Sequence, residues 1–334
     1  MALERERRIN NPCMQVFRGL PPPHARAACA LTIGNFDGVH RGHQAMLAML
    51  THEARQRGLP CCVVTFEPHP RDFFAHRSGR PDAAPTRIST LRDTVSALAE
   101  CGVDRLVVLR FDEALSSLPP QDFISRILVQ GLGARLVMVG DDFRFGARRA
   151  GDYALLDRAG GELGFDVARM MSFEVHGLRV SSSAVRQALA EGDMGRAAAL
   201  LGRPYAISGR AVHGRKLGRE LGFRTLNLRF VHPRPAAMGI FVARIHSLGD
   251  AALPGVASLG VRPTVEDAGR VLLETHALTW PASLSLEGGY GRCLQVELVH
   301  KLHDERRYES LEALQQGIAQ DVTDARAWFA AHPG

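Results

Sequence analysis

Aromatic residues make up only 6% of this 334-residue chain, with two tryptophans and four tyrosines. Surfaces that stack single-stranded nucleic acid interleave aromatics with a basic stripe, and the sequence has no such stripe. Long apolar runs are missing as well: nothing reaches the roughly 18 consecutive apolar residues of a membrane span. Residues 1–10 are highly charged and lack the apolar stretch of a secretory signal, so a cytoplasmic location is expected. The six cysteines, at positions 13, 29, 61, 62, 101 and 293, include no C-x-x-C pair. That spacing excludes a zinc ribbon and a disulfide scaffold, and leaves buried, reduced thiols as the expectation. No repeat with a period of 20–50 residues is present. Charge of one sign is only slightly in excess, at +6 with a pI near 9.3, which suits anionic small molecules.

What remains is ordinary globular material, 46% hydrophobic and 23% charged, in a length that predicts two domains. Up to about residue 190, strand and helix patterns alternate. Residues 29–34, 61–66, 106–111 and 136–140 read as short apolar strands, and 41–57, 90–101 and 121–130 as helices. In 41–57 the apolar pattern falls on Ala45, Leu47, Ala48 and Leu50. Strands buried on both faces and alternating with helices predict a parallel sheet covered on both sides. Residues 77–81 and 84–85 read as a flexible insertion. Beyond about residue 190 the pattern changes to short alternating runs at 205–212, 225–229, 239–245, 255–259, 271–278 and 293–300, separated by Gly and Pro. Such runs predict a small antiparallel barrel. A closing helix over 310–330 would bury Leu311, Leu314, Ile318, Val322, Ala325 and Phe329 on one face. The expected division is residues 1–192 and 193–334.

The strongest local signal is Gly34-Asn35-Phe36-Asp37-Gly38-Val39-His40-Arg41-Gly42-His43, which follows one predicted strand and opens the next helix. Ligands of such sheets bind at the carboxyl ends of strands, and a helix N-terminus there offers free N–H groups to phosphate. Gly34, Gly38 and Gly42 let the backbone approach a ligand. His40 and His43, three apart, can both face one phosphate from the first helical turn. Taken singly, the two histidines read equally as surface or capping residues, or as part of a metal site whose third ligand is not evident.

The longer pattern G-x-F-D-G-x-H-x-G-H resembles the bacterial bifunctional riboflavin kinase/FAD synthetase family. Three further segments fit it in order: Thr65-Phe66-Glu67-Pro68-His69-Pro70, Gly140-Asp141-Asp142-Phe143-Arg144-Phe145-Gly146 and Val180-Ser181-Ser182-Ser183-Ala184-Val185-Arg186. The resemblance implies FMN adenylyl transfer, with His40 and His43 as catalytic residues. It places ATP on Gly34, Phe36, Asp37, Gly38, Gly42, Ser181, Ser182 and Arg186. The flavin falls on Phe66, Pro68, His69, Phe143 and Phe145, and Mg²⁺ on Asp142. Each also has a plain reading: Phe66 as core, Asp142 as a loop carboxylate, Ser181–Ser182 as a helix cap.

In the second half, Gly214-Arg215-Lys216-Leu217-Gly218-Arg219-Glu220-Leu221-Gly222-Phe223-Arg224-Thr225-Leu226-Asn227 resembles the riboflavin kinase motif of the same family. Gly255 to Thr264 and Leu273-Glu274-Thr275-His276 agree with its later segments, as do Tyr290-Gly291 and Leu302-His303-Asp304-Glu305. The resemblance implies nucleotide binding by Gly214, Gly218 and Arg219, Mg²⁺ and phosphate binding by Thr225 and Asn227, and Glu274 as general base. Without it, the glycine-rich stretch is a plain turn, and Thr225 and Glu274 are ordinary strand residues. The chain departs from the family pattern at Arg224 (Pro), Leu226 (Ala), Ser258 (Asn), Thr279 (Asp) and His303 (Arg).

The expected architecture is therefore α/β plus β: a Rossmann-like nucleotidyltransferase domain followed by a six-stranded antiparallel barrel with a C-terminal helix. The expected activity converts riboflavin to FMN and FMN to FAD with two ATP molecules and Mg²⁺, in a monomer or weak homo-oligomer with no nucleic-acid or membrane partner. The alternatives are an FMN adenylyltransferase with a weak kinase module, motivated by Arg224 and Leu226, and a flavin-sensing or nucleic-acid-binding protein.

Overall fold

Strand β2 (Cys29–Ile33) is buried at every position, as expected of a strand covered on both faces. It sits inside a six-stranded parallel sheet with β1 (Gln15–Arg18), β3 (Cys61–Glu67), β4 (Arg105–Arg110), β5 (Ala134–Gly140) and β6 (Asp166–Met170). The computed structural model describes residues 14–171, 174–175, 178–213, 222–261, 271–282, 284–285 and 288–333. These fall into two compact units, one of residues 1–85 and 94–180, the other of 86–93 and 181–334.

The sheet order is β1-β4-β3-β2-β5-β6. The chain leaves β2 towards β3 on one side and later returns to β5 on the other. The strand order thus reverses between β2 and β5, which opens a crevice at their carboxyl ends. The helix Arg41–Gln56 covers this region and buries Leu47, Leu50, Thr51 and Ala54. That is the three-and-four spacing of one helical face, at about 1.5–3 kcal/mol per fully buried leucine. Ala48, expected on that face, is exposed because the helical period carries it round to solvent.

The sequence pattern missed edge strands β1 and β6, whose half-exposed residues give no continuous apolar run. It also missed the helices Pro70–Arg77 and Tyr153–Leu163. Residues 77–81 and 84–85, expected as a flexible insertion, instead end the helix Pro70–Arg77 and flank a 3-10 turn at Pro81–Ala83, with Ala84 6% exposed. Pro81 in the first position of that turn presets its backbone angle. The expected helix over 121–130 is present as Pro120–Asp122 running into a π-helical stretch, Phe123–Gly131. A short antiparallel pair, β7 (Glu174–Val175) with β8 (Leu178–Arg179), completes the unit's strands.

The second unit begins with the helices Ser182–Glu191 and Met194–Leu201. Its sheet runs β10 (Leu226–Phe230), β13 (Val271–Ala277), β12 (Leu253–Val261), β11 (Gly239–His246), β14 (Cys293–His303) and β9 (Ala206–Arg210), all antiparallel. A bridge from Val212 to Asn227 returns the chain after β9 to β10, so the barrel nearly closes. Phe241, Leu228, Leu273, Leu259, Val296 and Ile207 fill it with almost no exposure. Segment 86–93 adds to this unit: the Arg87 amide donates to the Arg234 carbonyl (2.8 Å) and the Tyr205 hydroxyl to the Ile88 carbonyl (3.0 Å).

The final helix, Leu311–Ala331, packs Val322 and Ala325 against Val242 and Val256 on the outer face of the barrel. Leu311 is 55% exposed rather than buried, because the first turn runs beyond that contact. Of the cysteines, Cys29, Cys61 and Cys62 are buried and free, but Cys293 is exposed. It occupies an outward position of an alternating strand, which corrects the expectation of uniformly buried thiols. Burial pushes the Cys61 thiol up to about 11, so it is no nucleophile at neutral pH. Among the described residues no helix is long and apolar enough to cross a membrane.

Candidate functional sites in the two units

In the first unit the loop after β2 crosses the mouth of the crevice. Phe36, Gly38 and Val39 all take left-handed backbone angles, with φ of 49°, 87° and 40°. For Phe and Val this conformation costs on the order of 1–3 kcal/mol, a strain that clusters at ligand sites. Bonds to β3 over-determine the loop: the Gly34 amide donates to the Val64 carbonyl (3.0 Å), and Thr65 Oγ1 to the Asn35 carbonyl (3.3 Å). A β-carbon on Gly34 would stand 3.1 Å from the Phe36 ring, so the ring would have to give by a few tenths of an ångström. Phe36 and Asp37 are 1% and 2% exposed.

His40 is the N-cap of the helix Arg41–Gln56, and its Nδ1 accepts from the His43 amide at 3.3 Å. The capping reading is borne out, and the cap holds His40 at the positive end of the helix dipole. The two imidazoles stack at 3.7 Å between centroids, and Phe36 leans on His43 at 4.8 Å. Gly42 lies beneath, where a β-carbon would come within 3.2 Å of His40 Nδ1 and 3.4 Å of the Val180 carbonyl. His43 Nδ1 is buried with no hydrogen-bond partner among the described residues. Burial first, and His40 second, hold the His43 pKa well below 6.5, so the ring is neutral at pH 7.

A depressed histidine pKa has a stability consequence. Below about pH 6.5 the unfolded chain takes up a proton at position 43 that the folded chain refuses, so stability is present above that pH and falls as pH drops. His276, whose pKa is lowered by burial, acts in the same direction. Urea midpoints are expected to fall between pH 7 and pH 5.5, and His43→Asn is expected to flatten that fall. An unchanged pH dependence in the variant would contradict a neutral buried ring.

On the other side of the crevice, Asp142 follows β5 and is exposed. A β-carbon on Gly140 would stand 3.5 Å from Asp142 Oδ1 and 3.9 Å from the Met46 methyl, so the carboxylate and a side chain of the helix that His40 caps both approach Gly140. An exposed carboxylate fits Mg²⁺, which takes one or two carboxylates and draws its other ligands from phosphate and water. Among the described residues there is no cluster of three or more His, Cys, Asp or Glu, so a cage of protein ligands is not offered.

The five flavin-side residues separate. Phe66 is half-buried and meets Phe111 edge-on at 5.7 Å. Phe111, which the sequence reading left as the last residue of a strand, also joins Phe73 and Phe74 at 5.5 and 5.7 Å. This aromatic group lies at the carboxyl ends of β3 and β4, the right place and chemistry for an isoalloxazine ring. Pro68 is exposed beside it. His69 is 5% exposed and caps the helix Pro70–Arg77, accepting from the Arg71 amide (3.1 Å). Phe143 is partly buried, whereas Phe145 is 7% exposed and packs on Phe123 within the core.

Ser181, Ser182 and Arg186 belong to the second unit. The Ser181 hydroxyl caps the helix Ser182–Glu191, accepting from the Ala184 amide (3.2 Å), and Arg186 Nε donates to the Thr86 carbonyl (2.6 Å).

In the barrel, register assembles the second site. Asn227 on β10 faces Glu274 on β13, and Glu274 faces Ser258 on β12. Directly opposed residues share a face, so these three side chains stand abreast on the outer surface, opposite to the buried Leu228, Leu273 and Leu259. Asn227 is nevertheless 2% exposed. Gly260 continues the same face, and the Glu305 carboxylate fills the space where its side chain would be. Burial, and then Glu274, raise the Glu305 pKa. Thr225 precedes Asn227 by two positions, and its carbonyl accepts from the Tyr290 hydroxyl (3.1 Å). Gly214, Gly218 and Arg219 lie outside the described residues, as do Arg262, Pro263 and Thr264.

Arg224 is the unexpected feature. Its Nε, Nη1 and Nη2 are buried without a hydrogen-bond partner among the described residues. The guanidinium stacks on Trp280, 4.0 Å from the ring centre, with Tyr290 5.9 Å away. Its own carbonyl is bonded by His276 Nδ1 (2.7 Å), and a neutral histidine must carry its proton there to donate. Stacking a desolvated cation on an indole returns about 2 kcal/mol, while leaving a buried charge unpaired costs about 3–5 kcal/mol. Among the described residues no acceptor balances this guanidinium.

Comparison with known proteins finds two families along the chain. Residues 23–184 match the FAD synthetase family and residues 201–329 the riboflavin kinase family. A protein described as bifunctional riboflavin kinase/FMN adenylyltransferase from Escherichia coli K12 is 47% identical over 318 residues, covering 95% of this chain and 98% of that one. Its namesake from Pseudomonas fluorescens is 46% identical, covering 94% and 97%. A solved structure, described as a macrolide-efflux protein from Streptococcus pneumoniae, superposes with a TM-score of 0.72 at 24% identity, covering 95% and 100%. At that identity it shows the shared fold and nothing of function.

Proposed function

Starting from the fact that the chain belongs to the bifunctional riboflavin kinase/FMN adenylyltransferase family, we propose that each of its two reactions is carried by one of the two constellations above. The enzyme phosphorylates riboflavin to FMN with ATP, then joins FMN to AMP from a second ATP, forming FAD and pyrophosphate. The observation that carries the assignment is the register Asn227–Glu274–Ser258 in the barrel, matched by the His40–His43 stack at the sheet crevice. The working boundary lies at 192/193, with adenylyl transfer before it and phosphoryl transfer after it.

In the barrel, Glu274 takes the proton of the riboflavin 5′-hydroxyl as that oxygen attacks the γ-phosphorus of ATP and ADP leaves. A carboxylate suits this task because a loose phosphoryl-transfer transition state needs the nucleophile oriented more than deprotonated. Thr225 and Asn227 would donate hydroxyl O–H and amide N–H to phosphate and would turn their oxygens to Mg²⁺. In the first unit, the FMN phosphate attacks the α-phosphorus of ATP, and the neutral His43 and helix-capping His40 steady the charge that develops there. Phe66, Pro68, His69 and Phe143 serve the flavin, and Phe145 supports the unit from its core. Asp142 would hold the Mg²⁺ of this unit. Bound at either place, Mg²⁺ neutralises phosphate oxygens and eases departure of the leaving group. We place the enzyme in the cytoplasm, as a monomer or weak homo-oligomer.

Arg224 keeps a second reading in view, that of an adenylyltransferase with a weak kinase. One incubation separates the two. The purified chain with riboflavin, ATP and Mg²⁺, resolved by chromatography over time, is expected to yield FMN first and FAD second. FAD from added FMN but nothing from riboflavin would support the weak-kinase reading. No product from either flavin would overturn both.

A further inference from the structure

We propose that Arg224 is a phosphate-binding residue of the kinase unit, whose guanidinium receives an oxyanion of the nucleotide polyphosphate or of the FMN 5′-phosphate. The inference rests on the placement of the kinase site at Thr225, Asn227 and Glu274. Arg224 immediately precedes Thr225 in the chain, where the family pattern has a proline that can donate nothing. The backbone here is held twice, by His276 at the Arg224 carbonyl and by Tyr290 at the Thr225 carbonyl, so the side chain departs from a fixed point. Trp280 takes one face of the guanidinium and leaves the in-plane N–H fork, none of whose nitrogens has a protein acceptor among the described residues.

A guanidinium stays charged at any working pH and matches two phosphate oxygens at once. Stacking on Trp280 does not offset its desolvation, and an oxyanion does. In this unit the anions are the substrates and products themselves. The nitrogens are covered, so a phosphate reaches them only as covering side chains part, and Trp280, one of two tryptophans in the chain, reports that event.

The test uses the full chain. Arg224→Gln is expected to raise the KM for ATP in riboflavin phosphorylation about tenfold or more, with kcat within about twofold, because a charge-assisted bond to bound phosphate is lost. Arg224→Lys should recover part of the loss, and the KM for ATP in adenylyl transfer should not move. An unchanged KM for ATP, with inhibition by FMN weakened about tenfold, would assign the phosphate to the flavin and keep the site. A folded Arg224→Gln protein with both constants unchanged would overturn the proposal and leave Arg224 as a stacking element.

Should the variants fold poorly, Trp328→Phe isolates Trp280 in the otherwise native chain. Its emission is expected to change on saturation with ADP or FMN, less so in high salt, and no change with either ligand would equally overturn the proposal. Failure of the site assignment is read separately, since Glu274→Gln would then leave riboflavin phosphorylation intact.

Discussion

His43→Ala is expected to lower the rate of FAD formation from FMN and ATP by about 10²–10³-fold, while riboflavin phosphorylation stays within about twofold of the unaltered enzyme. The magnitude is that of removing one preorganised group from the place where transition-state charge develops. His43 suits that role because burial and its stacked neighbour keep it neutral, and because its Nδ1 has no partner among the described residues. The substitution is also structurally mild. The bond that caps the helix runs from the His43 amide to His40 Nδ1, and alanine keeps the amide. His40→Ala would be harder to interpret, since it removes a cap worth about 0.5–2 kcal/mol together with the imidazole. Initial rates of FAD and FMN formation, measured separately by chromatography, decide the matter. Loss of both activities would mean a damaged fold, and retention of both would remove His43 from catalysis.

Glu274→Gln gives the converse result. Riboflavin phosphorylation is expected to drop by about 10²–10⁴-fold, the range for loss of a general base, while FMN adenylylation proceeds normally. Glutamine keeps the size and the strand position, so the register with Asn227 and Ser258 survives and only the proton acceptor goes. Glu305 provides a control on the same face. It fills the space over Gly260, and its pKa is raised by burial and by Glu274, so the two carboxylates are close enough to sense each other. If Glu305 were the proton acceptor instead, Glu274→Gln would cost little and Glu305→Gln the full factor.

Much of this molecule is local, and what is local was legible. The apolar runs of β2, β3, β4 and β5 announce strands buried on both faces, and the shift to alternating runs after residue 190 announces the barrel. The loop from Gly34 to His43 could be placed at a strand-to-helix junction because its glycines, its cap and its histidines all act within one turn of backbone. Edge strands β1 and β6 were missed because half-exposed strands carry no continuous apolar signal. Ala48 and Leu311 were assigned to buried faces because a periodic pattern does not say where packing on that face stops.

By itself, then, the sequence determined the two-part architecture, the motif at the sheet crevice and the residue types available for each reaction, since hydrophobic period, caps and glycine spacing act over a few residues. The tertiary structure alone decided which of them meet. Strand register set Glu274 between Asn227 and Ser258. Strand order brought Phe111 up beside Phe66. Packing drew Phe145 into the core and laid Arg224 against Trp280, with no acceptor for its donors among the described residues. These outcomes depend on pairings between residues far apart in the chain, whose free energies are fixed only when the whole sheet and barrel close.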